Sequence, residues 1–204
     1  ADEAVLAESR ARCLWAIKAN YHVAFAHGRL TPKGLRVLLE NVDFQSDVEA
    51  ARLNEWAHLE AHDLWPKGQL QRIQYMNTYV PSARARESID GIIFRRMAFI
   101  FEVAYNFIHA HEDVQHALAA EEIVDPGPVQ KALIREVVAQ QVLAKQAIAD
   151  YIDVFPESAN AIKTQVATRV ESDHRFWGTP SNASKFSRRS SNRTRFPRSL
   201  GTGR

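Results

Sequence analysis

From Ser82 to Ala119 apolar residues recur at steps of three and four, and no proline interrupts them. Ile89, Ile92, Ile93, Met97, Ile100, Ala104, Phe107, His111, Val114 and Leu118 fall on one stripe of a helix. Such a helix is ~55 Å long if unbroken. A stripe of that length has to be covered, by other helices in a bundle or by a paired assembly. The sequence therefore predicts an all-α fold: a multi-helix bundle of about six to seven helices around one long central helix. Ile89, Ile93, Met97, Ile100 and Phe107 form the expected packing seam.

The rest of the chain supplies the covering helices. Leu6, Cys13, Leu14, Ile17, Tyr21, Ala24 and Phe25 share a face over residues 3–27, and Gly28 offers a left-handed stop. Thr31-Pro32 reads as the start of a second helix, with a side-chain acceptor followed by a ring suited to the first turn. Ser46 and Glu49 have capping-box spacing, which predicts a third helix from 46 to about 64 with Leu53, Trp56 and Leu59 inward. A short helix is expected near 69–79. Asp125-Pro126-Gly127-Pro128 is the clearest turn. Helices over 129–154 and 157–176 follow.

Charge divides the chain. Seven of the 26 basic residues and none of the 24 acidic ones lie in 178–204, which leaves residues 1–177 with 19 bases against 24 acids. The expected organisation is a helical domain over 1–177 and a disordered, basic, Ser/Arg-rich tail over 178–204. No stretch approaches the ~20 apolar residues of a membrane span. A single cysteine, Cys13, excludes an internal disulfide framework and suits a reducing compartment. The chain opens on Ala1-Asp2-Glu3 and reads as a piece of a longer protein.

The chemistry-bearing patterns are few. Glu-x-x-His occurs twice, at Glu55/His58 and Glu171/His174. Di-iron carboxylate bundles use that unit twice, with one further Glu from each of two other helices. Glu40 and Glu102 are the available extra carboxylates. Against this, Glu and His are common on solvated helix faces, and the reading adopted is no metal and no cofactor. His58 and His62 sit at i,i+4, but Leu59 stands where a zinc protease has its general base. His109, Glu112 and His116 share a face that reads as a polar strip, or as a pH sensor if a buried partner exists. Cys13 reads as a buried structural thiol. With no Ser/His/Asp order and no glycine-rich phosphate loop, the chain reads as a regulatory or scaffolding domain and not as an enzyme. In the tail, Arg188-Arg189 before Ser190 and Ser191 fits a basophilic kinase, and the basic run fits acidic lipid. A basic-tailed adaptor for lipid or nucleic acid stays open as an alternative, although nucleic acid is not the expected partner.

An ordered set of segments carries a family resemblance. Glu8 to Leu14, Ala16, Tyr21 and Phe25 to Thr31 resemble the segment just after the last membrane span of plant salt-overly-sensitive-type sodium/proton antiporters and the related sperm-type exchangers. Leu38 to Asp43, Trp56 to Leu59, Arg95 to His111, Tyr151 to Glu157 and Ile162 to Arg169 continue it, over roughly residues 8–175. The resemblance implies a cytoplasmic regulatory and dimer-packing domain beneath a plasma-membrane antiporter. Its partners would be the transporter's own membrane domain and a second protomer. The family's ion-binding carboxylates have no counterpart here, and the tail departs from the family pattern.

Overall fold

In the computed structural model the described residues are 3–48, 52–156 and 158–162, all within the compact unit Ala1–Lys163. Six helices occur among them: α1 Glu3–Ala26, α2 Pro32–Asp47, α3 Glu55–His62, α4 Lys67–Asn77, α5 Ala83–Ala119 and α6 Pro128–Val154. No strand occurs among the described residues. The expected all-α bundle around one long helix is the fold.

The local signals explain most of the boundaries. Gly28 adopts a φ of 72°, and the Arg29 N–H returns to the Ala24 carbonyl at 2.9 Å, closing α1. Thr31 caps α2, its hydroxyl accepting from the Gly34 N–H at 3.1 Å. Ser82 likewise caps α5. The third helix departs from expectation. Ser46 lies inside α2 and donates its hydroxyl to the Val42 carbonyl one turn back, at 2.9 Å. α3 begins only at Glu55. A serine can bond backward within a helix as well as cap a new one, and here the continuing helix wins.

α5 and α6 run antiparallel. Gln130 donates to the Leu118 carbonyl, Gln141 to Gln115, and Lys145 to Glu112. These pairs place the end of α6 between Phe94 and Val103, so the first part of α5 extends beyond it. That part is joined to α4 through Asn77, which donates to Asp90 at 2.7 Å.

Ile93, Met97, Ile100 and Phe107 are buried as the stripe predicts, whereas Ile89 is half-buried and Ile92 is 40% exposed. Phe25 is also 40% exposed, because α1 turns its core face through Cys13, Ile17, Tyr21 and Ala24. No helix is long and apolar enough to cross a membrane among the described residues. The expected helix over 157–176 lies largely outside the described residues; the tail over 178–204, with Ser190 and Ser191, lies wholly outside them, as do Glu171 and His174.

Candidate functional site

The most unusual chemistry is inside the bundle. Glu55 is the first residue of α3, where a carboxylate favours the helix dipole from the surface. Here it turns inward and is 0% exposed. His111 lies on the α5 stripe one turn after Phe107 and is also 0% exposed. Its Nε2 stands 2.9 Å from Glu55 Oε2, and its Nδ1 stands 2.8 Å from the Phe107 carbonyl.

Those two contacts determine the proton count. A carbonyl oxygen only accepts, so Nδ1 carries a hydrogen. The contact between Nε2 and Oε2 then needs one proton between the two atoms. On Nε2 it makes an imidazolium facing a carboxylate; on Oε2 it makes a carboxylic acid facing a neutral imidazole. Either way the pair is neutral as a unit, which a dry interior requires.

Aromatic rings wall the pair. Phe107 stacks on the His111 ring with centroids 4.0 Å apart, and Trp56 meets Phe107 edge-on at 5.2 Å. From α1, Tyr21 and Cys13 feel the Glu55 charge. Burial first, and Glu55 second, push the Tyr21 hydroxyl well above the usual phenol range. The same two causes, with Glu136, push the Cys13 thiol up to about 12. Both groups are therefore neutral beside the pair. Tyr21 Oη and Glu55 Oε1 are buried without a hydrogen-bond partner.

Polar side chains from two other helices hold the segment that delivers Glu55. Gln140 of α6 accepts from the Trp56 N–H at 3.0 Å and donates to the Leu53 carbonyl at 2.8 Å. Gln45 of α2 accepts from the Asn54 N–H and donates to the Arg52 carbonyl. Glu136 accepts from the Leu53 N–H at 3.4 Å while paired with Arg10. The N-terminus of α3 lacks a side-chain cap of its own; these residues satisfy the backbone instead.

The sequence-derived metal candidates do not converge. Glu55 faces His111 in the core, whereas His58 faces α2, stacking on Phe44 at 3.9 Å with its Nδ1 2.9 Å from Asn41 Oδ1. Their shared spacing places them on adjoining faces that meet different neighbours. Glu40 is exposed beside Arg36, and Glu102 accepts the Thr31 N–H at 2.6 Å. No group of three or more His, Cys, Asp or Glu able to hold a metal occurs among the described residues. His109 lies 3.2 Å from Glu112, which also pairs with Lys145, and His116 is exposed. The buried partner that a histidine sensor needs is found at His111, not on that strip. One signal for it lay in the sequence: a histidine on the apolar stripe of a long helix must find a partner.

No known protein family matches the chain, and no curated protein is similar to it.

Proposed function

We propose that the chain is a regulatory helical domain of the sodium/proton-antiporter kind that its sequence resembles, acting by how its helices pack. The observation that carries this reading is the use made of three acids. Glu55 ties α3 to α5, Glu102 ties the start of α2 to α5, and Glu136 ties α1 and the approach to α3 to α6. Each is an inter-helix fastening whose loss would let one element shift against another. Packed cores with such fastenings rearrange between discrete states and do not deform continuously. A membrane domain or a second protomer that contacts the two states differently would bias the equilibrium, and the bias would pass back to transport. On this reading the domain lies at the cytoplasmic face of the plasma membrane, and the tail offers Ser190 and Ser191 to a kinase or its arginines to acidic lipid.

The test begins with the native transcript upstream of Ala1. A series of apolar spans in frame is expected. Sodium-driven proton flux in vesicles should then change its set point when residues 1–177 are deleted from the intact transporter. A transcript without such spans, or a flux indifferent to the deletion, would overturn the reading.

A further inference from the structure

We infer that the Glu55–His111 pair is a proton-keyed latch that fastens α3 to α5, closed when the pair holds one shared proton and released when that number changes. The antiporter reading gives the latch a purpose, but the inference stands on the geometry of the pair alone.

The closed state holds one proton, because Nδ1 is committed to the Phe107 carbonyl and the 2.9 Å contact needs a hydrogen. Among the described residues that the neighbouring helices bring toward the pair, the charged ones are already paired. α1 presents Cys13 and Tyr21, both kept neutral. α6 presents Gln140, which is neutral, and Glu136, which is taken up by Arg10. α2 presents Asn41 and Gln45 toward α3, and its Asp43 pairs outward with Lys18. α4 meets α5 farther along, at Asp90. A pair stripped of its proton sets a carboxylate against a nitrogen lone pair in a dry core. A pair given a second proton buries an uncompensated cation. Both cases force separation.

The released state follows ordinary solution behaviour. A free glutamate is ionised above about pH 4.3 and a free histidine is neutral above about pH 6.5. A free glutamate and a free histidine together bind no proton above about pH 6.5, one in between, and two below about pH 4.3. Against a closed pair that binds one, linkage makes the open fraction rise about tenfold per pH unit above the upper value and about tenfold per unit below the lower one. α3 is the element that yields. It has eight residues, far fewer than the ~12–15 an isolated helix needs, and it is held by side chains from its neighbours.

The experiment is amide exchange, read by mass spectrometry on the full 204-residue chain. Opening of residues 53–64 is followed between about pH 5 and pH 8.5, corrected for intrinsic exchange and referenced to α6. In the wild type, α3 opening should rise about 50-fold from pH 6.5 to pH 8.5. Glu55→Gln keeps both hydrogen bonds without a shared proton, since the amide donates to the neutral imidazole. Its α3 should be flat over that range and open more toward acid. A wild-type α3 whose opening does not change between pH 6.5 and pH 8.5 overturns the latch, whether or not the variant folds. So does a rise of equal size in Glu55→Gln. A flat wild-type profile would leave the antiporter reading standing; a transcript without membrane spans would remove that reading and leave the latch untouched.

Discussion

Arg10 on α1 donates to both oxygens of Glu136 on α6, from Nε to Oε2 at 2.9 Å and from Nη2 to Oε1 at 2.6 Å. The two residues are 126 positions apart and their side chains are only 9% and 15% exposed, so the fork ties α1 to α6 across the bundle. The hydrogen bond to Glu136 is the main reason the guanidinium is held above its usual range, against the opposing effect of burial.

Glu136→Ala leaves Arg10 without that partner and takes the acceptor from the Leu53 N–H. The expected loss is about 2–3 kcal/mol in urea unfolding, between the figures for charged hydrogen bonds and fully buried ion pairs. Glu136→Gln, which keeps an acceptor, should cost less. Equal losses for the two variants would show that the charge contributes nothing.

Gly34 makes a sharper case because the sign is at stake. A Cβ there would lie 2.6 Å from Glu102 Oε1 and 3.2 Å from Leu30 Cδ2. Alanine in a helix is ordinarily favoured over glycine by about 1 kcal/mol. Gly34→Ala should nevertheless destabilise by about 1 kcal/mol, since it pushes Glu102 off the Thr31 N–H. In a Glu102→Ala background the same substitution should become neutral or stabilising. A double-mutant cycle measures this directly, and additive effects would refute the capping role of Glu102.

Along α5, burial should sort the effect of charge. Ile100 is 1% exposed and Ile92 is 40% exposed. Ile100→Asp buries an unpaired charge and should cost more than ~4 kcal/mol, enough to unfold the chain. Ile92→Asp should stay within about 0.5 kcal/mol of wild type. Circular dichroism and thermal unfolding suffice, and similar outcomes for the two would contradict the orientation of the helix.

Cys13 provides a pH test with a definite sign. Its thiol is raised from 9.0 to about 12, chiefly by burial, then by Glu55 and Glu136. A raised value means that the folded chain keeps the proton while the unfolded chain loses it. Stability from this group is fully present below pH 9.0 and is lost as pH rises toward 12. Cys13→Ala should flatten that part of the decline and leave the share that belongs to Tyr21. At pH 8.5 a thiol reagent should react slowly with the native chain and at once in urea. Rapid native reaction would mean that the thiol is not enclosed.

Much of this architecture is legible from local pattern. Thr31-Pro32 and Gly28 are read correctly because each signal acts within a single turn, and the α5 stripe is long enough for its period to be unmistakable. What fails is whatever depends on distant residues. Nothing near Ser46 says that α2 continues through it. The fastening of 52–56 by Gln45, Glu136 and Gln140 joins residues up to 87 positions apart. Glu55 and His111 stand 56 positions apart. Glu55 alone looks like a residue of a solvated helix face, and His111, although it falls on the apolar stripe, gives no sign of which residue it meets.

The stagger between the two longest helices has a mechanical consequence. Over its second half α5 is gripped by α6, by α1 through Asn20 and by the α1–α2 connection through Arg29 and Thr31. Its first part reaches past the end of α6, where Asn77 of α4 donates to Asp90 and Arg96 lies over the Trp65 ring at 4.5 Å. The two ends of α5 therefore answer to different neighbours: loss of the Asn77–Asp90 bond should free the first end while leaving the Asn20, Arg29 and Thr31 contacts of the second in place.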